Sequence, residues 1–109
     1  MATTKLKLCE AVLTGSAALV YGPVPTNSTV TVQAISAWNP GASPVSVDVF
    51  IVPSGGSATD ATHVGHASIG AGRTGVIPEV LNQALAAGDE LFATGNGCTL
   101  TASGVLISN

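Results

Sequence analysis

The fold of this chain is decided by residues 29–52, which read TVTVQAISAWNPGASPVSVDVFIV. From Val30 to Ala34, apolar residues alternate with polar ones, and this period of two is typical of a strand with one buried face. The apolar phase slips at Ile35, which predicts either a β-bulge or burial on both faces near the strand's end. The first half of the stretch therefore predicts a strand over residues 29–38.

The second half of the stretch predicts the best core strand of the chain. The turn residues Asn39-Pro40-Gly41 separate it from the first strand. Apolar residues occupy alternate positions from Val45 to Ile51, so one face of a strand over residues 45–52 is apolar throughout. Asp48 is the exception on the other face. We expect its carboxylate to point to solvent or to a partner.

The remaining chain has short apolar runs between turn residues. We predict further strands at residues 5–13, 17–21, 63–69, 90–93 and 98–107. Residues 76–85 fit either about one helical turn or a strand followed by a loop, and Pro78 favours the second. About eight short strands without a convincing helix predict an all-β fold, an antiparallel β-sandwich of the jelly-roll or Greek-key type.

The length predicts one domain. At 109 residues, the chain has about the size of a single β-sandwich. We expect that domain to span residues 1–109. Residues 1–21 form either its first strands or an arm that docks on a neighbour.

Charge is scarce. Asp, Glu, Lys and Arg make up 8% of the residues, against roughly 25% in an average soluble domain. The surface must therefore be covered by neutral side chains, and no lysine follows Lys7 to protect a sheet edge. This favours a surface covered by other subunits over a monomeric Ser/Thr-rich β protein. Lys5, Lys7 and Arg73 are too few to form a phosphate-binding patch, so we expect no nucleic acid.

The sequence patterns that suggest a nucleotide, metal or catalytic site each lack a feature that such a site needs. Residues 70–75 match G-x-G-x-x-G, but that motif needs a following helix, and none is predicted. His63 and His66 are three residues apart, so on a regular strand their side chains would point to opposite faces. The adjacent carboxylates of Asp89 and Glu90 would also diverge. We therefore expect no catalytic residue, no cofactor and no metal, and a protein that is not an enzyme.

The two cysteines, Cys9 and Cys98, lie near opposite ends of the chain. In a sandwich the first and last strands can be neighbours, so a disulfide is geometrically possible, but two thiols without a secreted disulfide framework favour free, buried cysteines.

Glu10 interrupts the only candidate signal-peptide core, and no stretch approaches the roughly 18 apolar residues of a membrane span. We expect a protein made in the cytosol, with no membrane partner.

Candidate partner-binding residues come from two places. Trp38 lies where a strand meets a turn, and it either caps the core, which we favour, or anchors a contact. The first strand can add to a sheet of a partner by β-augmentation. The candidates are Lys5, Leu6, Lys7, Leu8 and Trp38.

Several segments resemble the small β-sandwich structural proteins of tailed bacteriophages. The resemblance covers roughly residues 26–108, and it is carried by residues 29–39, 45–57, 80–81, 87–91 and 100–107. It implies a virion component that is present in many copies, made in the cytoplasm of a host bacterium, without a cofactor. We expect a capsid decoration or cement protein that binds joints between major capsid subunits as a dimer or trimer.

Two alternatives remain open from the sequence. Within the same class, the chain would be a tail, neck, baseplate or fibre-associated component. From another class, it would be a carbohydrate-binding β-sandwich, since lectins share this architecture. Sugar sites commonly stack aromatic rings against the ligand, and this chain has only Tyr21, Trp38, Phe50 and Phe92.

Overall fold

The computed structural model describes residues 2–108, which form two antiparallel sheets packed face to face. Strands alternate with turns along the whole described chain, as the sequence predicts. The strands are β1 (Ala2–Val12), β2 (Ala18–Tyr21), β3 (Ser28–Asn39), β4 (Val45–Val52), β5 (His63–Ile69), β6 (Arg73–Val76), β7 (Ala84–Leu85), β8 (Glu90–Thr94) and β9 (Thr99–Ser108). Two short 3₁₀ turns span Asp60–Thr62 and Pro78–Val80.

The strand order identifies the sandwich as a jelly roll. The first sheet has the order β1-β9-β3-β6, with the short β7 also paired to β3, and the second has the order β2-β8-β4-β5. The pairs are nested, because β1 pairs with β9, β2 with β8, β3 with β6 and β4 with β5. Such nested hairpins wrapped into two sheets are the jelly-roll arrangement. The fold-class prediction is confirmed.

The core lies between the sheets and is made of alternate residues of the facing strands. It is almost entirely aliphatic, and full burial of such a side chain contributes about 1.5–3 kcal/mol. The largest fully buried apolar side chains are Ile69, Ile77, Leu85, Leu91, Leu100, Val30, Val32, Val47, Val49, Val52 and Val80.

The N-terminal segment belongs to the sandwich. β1 pairs with β9 from Ala2↔Ser108 to Val12↔Thr99, and β2 pairs with β8. Of the two alternatives for residues 1–21, the structure therefore places residues 2–12 and 18–21 in strands, and not in a free arm. Met1 lies outside the described residues.

Two bulges face each other across β9. The register of β3 shifts between Val32 and Ala34, and that of β1 shifts between Lys7 and Cys9. The sequence predicts a slip in β3 at Ile35, and the structure places it two residues earlier. Gly104 of β9 lies opposite Val32, next to the β3 bulge, and a Cβ atom there would collide with the carbonyl oxygen of Thr31. The close approach therefore requires glycine at this position.

Residues 76–85 differ from the prediction of a strand followed by a loop. β6 ends at Val76, Pro78 begins a 3₁₀ turn, and only Ala84–Leu85 return to the sheet. Proline suits this place because the first turn of a helix leaves its N–H groups unpaired. Val80 is fully buried and packs over Gly65 of β5.

Candidate functional site

The outer face of the first sheet is a broad surface whose side chains are neutral except on the edge strand β1. The pairing registers align side chains of four strands on this face. They are Thr3, Lys5, Lys7, Glu10 and Val12 of β1, then Thr99, Thr101, Ser103, Val105 and Ile107 of β9, then Thr29, Thr31, Ala34, Ser36 and Trp38 of β3, and Thr74 and Val76 of β6. All outer positions on the two central strands, β9 and β3, are neutral, including Gln33 at the β3 bulge.

Charge on this face is confined to the β1 edge. Lys7 Nζ lies 2.7 Å from Glu10 Oε1, and both side chains are exposed. The hydrogen bond between them raises the pKa of Lys7 and lowers that of Glu10. Exposed pairs of this kind contribute little to stability, but the pairing neutralises the charge that this edge presents to a partner.

Three large apolar side chains project from the same face. Trp38 is 43% exposed, Val12 is 70% exposed and Val76 is 55% exposed. Val12 and Trp38 both lie opposite Thr99, one from each side. The favoured prediction that Trp38 caps the core is wrong, because the bulge in β3 turns its ring to the outer face. Sequence reasoning missed Val12 and Val76, since their exposure follows from register.

The predicted residues of β1 do not all reach this surface. Lys5 and Lys7 are exposed on it, and Leu6 is half-buried against the core. Leu8 is 7% exposed and belongs to the core. The predicted role of Leu8 in partner binding therefore does not extend to its side chain, which lies on the same inward face of β1 as Leu6, as regular alternation places it.

β1 is also the longest edge strand. Within residues 2–108 it pairs with β9 on one side and with no strand on the other. It has 11 residues, whereas the edge strands β2, β5 and β6 have 4, 7 and 4. Lys5, Lys7 and the bulge protect its middle, as is common at natural sheet edges. Its two ends carry only neutral side chains.

A second cluster lies on the opposite side of the molecule, on the outer face of the second sheet. Asp48 Oδ1 lies 2.7 Å from His66 Nδ1 and 3.0 Å from His63 Nε2. The expectation that the two histidines point to opposite faces is wrong. The β4–β5 register runs Val49↔Gly65 and then Phe50↔His63, so Val64 is an extra, bulged residue. The bulge returns His63 to the face of His66.

The histidines determine the ionisation of the carboxyl group. Burial alone raises the pKa of Asp48, but hydrogen bonds and charge interactions with His66 and then His63 outweigh it, so the pKa is lowered. The hydroxyl of Thr94 lies 3.5 Å from Asp48 Oδ2. Glu79 Oε1 accepts a hydrogen bond from the backbone N–H of His66 at 3.1 Å. The cluster therefore combines an ionised carboxylate with two imidazoles.

This cluster also has the donor set of a metal site. The ligand atoms of Asp48, His63 and His66 all lie within 4.8 Å of one another, and among residues 2–108 they are the only such group. The residues 70–75 that match G-x-G-x-x-G form a turn and the start of β6, with the Arg73 N–H donating to the Gly70 carbonyl at 3.1 Å.

The two cysteines are free and buried, which confirms the favoured prediction. The Leu13 N–H donates to the carbonyl of Cys98. Cys98 therefore lies opposite Leu13. Because Leu13 is four residues beyond Cys9, the two cysteines lie about 13 Å apart along the strand direction, farther than a disulfide can span.

Among the residues described, none of the helical segments has the length and apolar character of a membrane span.

No protein-family model and no curated protein sequence matches this chain. Among solved structures, its fold is similar to that of a protein from Bacillus endospore appendages, described as a novel family of disulfide-linked pili. The TM-score is 0.55 at 14% identity, over 98% of this chain and 87% of that chain. A second structure, of infectious bursal disease virus Gx strain, aligns with a TM-score of 0.43 at 9% identity, over 96% of this chain and 31% of that chain. At this identity, the first likeness establishes the fold alone.

Proposed function

We propose that this chain is a structural subunit of a multicopy protein assembly and binds its neighbours through the outer face of the first sheet. The observation that carries this proposal is the chemistry of that face. The neutral positions on β9 and β3, among them the exposed Trp38, are flanked by the exposed side chains of Val12 on β1 and Val76 on β6. Depletion of charge and the presence of tryptophan are typical of interface centres.

The size of the face is adequate for a stable contact. The three long strands, about 4.8 Å apart and with about 3.3 Å per residue along the ten residues of β9, span about 14 by 33 Å, and the four residues of β6 widen the face at one end. This is of the same order as the roughly 800 Å² that each partner buries in a standard interface. The unpaired ends of β1 can extend the contact by backbone hydrogen bonds.

The finer proposal concerns the kind of assembly. We infer a virion decoration or cement protein that binds joints between major capsid subunits, with a dimer or trimer at each joint. The support is the sequence resemblance to small β-sandwich proteins of tailed bacteriophages, together with the neutral face. A tail, neck, baseplate or fibre position is the alternative within the same class.

Copy number tests the location. Quantitative mass spectrometry of purified virions should find this chain in numbers comparable with the capsid joints. A handful of copies per particle would move the proposal to the tail or neck. Absence from purified particles would contradict a virion role altogether.

Substitutions test the surface itself. Trp38→Lys and Val76→Lys place charges on the outer face of the first sheet and should abolish binding to capsids that lack this chain, as measured by co-sedimentation. Leu19→Lys is the matched control, because Leu19 is 48% exposed on β2 of the other sheet. Equal loss of binding in all three variants would contradict the assignment of the face.

A filament subunit is the second candidate. It is favoured by the likeness to the endospore appendage protein, which extends over 98% of this chain. Negative-stain electron microscopy of concentrated protein tests it, because a filament subunit should polymerise without a capsid. The buried positions of Cys9 and Cys98 predict that such filaments would persist under reducing agents, unlike a polymer joined by disulfides.

A further inference from the structure

We propose that Asp48, His63 and His66 bind one divalent transition-metal ion, with Zn²⁺ as the representative, on the outer face of the second sheet. This inference is independent of the proposed assembly. It rests on three donors that converge although they come from two strands. Each donor is a common ligand of zinc.

The distances suit such an ion after small movements. His66 Nδ1 and His63 Nε2 lie 2.7 and 3.0 Å from the same oxygen of Asp48. In a tetrahedral zinc site with bonds of about 2.0–2.2 Å, ligand atoms lie about 3.3 Å apart. Each nitrogen therefore needs to move from the Asp48 oxygen by only a few tenths of an ångström to reach this spacing, and all three ligand atoms already lie within 4.8 Å of one another.

The donor types select the class of metal. Two imidazoles and one carboxylate suit Zn²⁺, Cu²⁺ or Ni²⁺, whereas Ca²⁺ and Mg²⁺ prefer sites made of oxygen ligands. Three protein ligands leave a coordination position open to water. The ligand side chains are partly exposed, so this position would face solvent.

The surroundings hold the donors in place. Asp48 and His66 are direct partners in the β4–β5 register. The ring of Phe50 lies 5.1 Å from that of His63, centroid to centroid, and the Thr94 hydroxyl approaches the second oxygen of Asp48 at 3.5 Å. Ligands that are fixed by strands and by outer contacts lose little freedom on binding a metal.

Exposure allows the ion to enter. The side chains of His66, His63 and Asp48 are 55%, 34% and 29% exposed. A bound ion would add a side-chain link between β4 and the edge strand β5, beside the backbone pairing of the two strands. We therefore expect the metal to stabilise this edge of the second sheet.

The decisive experiment uses untagged full-length protein and a Zn²⁺ titration. Side-chain NMR of the two histidines should shift for both rings and saturate at one equivalent. Calorimetry should show that Asp48→Asn, His63→Gln and His66→Gln each weaken binding. Loss of a residue that merely supports a ligand costs about 10–100-fold in affinity, so loss of a ligand should cost at least as much.

Asp60→Asn is the matched control. It removes the same charge as Asp48→Asn from the turn that precedes β5, outside the cluster, and should leave the affinity unchanged. Zn²⁺ should also raise the melting temperature of the wild type and of Asp60→Asn, but not that of the ligand variants.

Three results would overturn the proposal. The first is a Zn²⁺ titration that leaves either imidazole signal of the wild type unmoved, a measurement that needs no variant to fold. The second is equal affinity in His66→Gln and wild type. The third is a thiolate absorption band on Co²⁺ binding, which would assign the metal to the cysteines.

Discussion

At the scale of single residues, Asn39 shows how one buried amide shapes the turn between β3 and β4. Its side chain donates to the carbonyls of Ser43 and Ile69 at 2.8 and 3.0 Å, and accepts from the Gly41 N–H at 2.9 Å. The residue is 1% exposed. The sequence marks Asn39 as a turn residue, but it does not show that the amide reaches Ile69, which is 30 positions away.

The contribution of this amide can be measured. Asn39→Ala leaves the buried carbonyl of Ile69 without its partner, and an unsatisfied buried group costs about 1–3 kcal/mol. We expect the free energy of unfolding in a urea titration to fall by at least about 2 kcal/mol. Asn96→Ala, at an exposed position, should change it by less than about 0.5 kcal/mol. Similar losses in the two variants would contradict this account.

The cysteines make a prediction about reactivity. Burial raises the pKa of the Cys9 thiol and that of the Cys98 thiol. A raised pKa lowers the thiolate fraction at any pH below it, and the thiolate is the reactive form. Both thiols should therefore react with Ellman's reagent far more slowly in the native protein at mildly alkaline pH than in denaturant. Rapid native labelling would contradict the burial of these side chains.

At the scale of elements, strands could be predicted from the sequence, but of the bulges only that of β3 left a signal, as a slip in the apolar phase, whereas those of β1 and β5 left none. The strands at residues 45–52 and 63–69 have the predicted bounds, because apolar alternation and turn residues are local signals. A bulge depends on the strand opposite. The extra residue Val64 is visible only once β5 is aligned on β4, so the convergence of His63 and His66 could not be read from their spacing.

Gly104 tests the pair of bulges on either side of β9. In Gly104→Ala, the added methyl group would meet the carbonyl of Thr31 and the side chain of Leu8. Because backbone must move to accept it, we expect a loss of about 1–3 kcal/mol in the free energy of unfolding, as for overpacked cores. Gly15→Ala is the control, since nothing lies within 4 Å of its Cβ position. Equal stability of both variants would refute the close packing at Gly104.

At the scale of the whole molecule, the sequence predicts the β-sandwich and the shortage of charge, but not where the neutral surface lies. Lys5, Lys7 and Trp38 were identified as candidates, and they share one face. Val12 and Val76 join them only through the pairing of four strands. The Leu8 side chain lies on the inward face of β1 with Leu6, as alternation predicts, so it does not reach this surface.

The neutral face predicts how binding responds to salt. Coulombic attraction between exposed charges is screened at high ionic strength, whereas apolar contact is not. Binding to capsids should therefore change by less than roughly threefold between low and moderate salt. Co-sedimentation over a salt series measures this. A steep loss of binding with added salt would indicate a charged interface and would contradict the neutral face as the site of contact.

The two outer faces point in opposite directions, because the sheets pack face to face across one core. A copy that is docked through the first sheet leaves the Asp48 cluster of the second sheet turned to the surroundings. On a particle with many copies, those clusters would form a dense array of histidine pairs. Such an array would bind a nickel-coated resin with an avidity far above that of one subunit, so intact particles could be captured without an added tag.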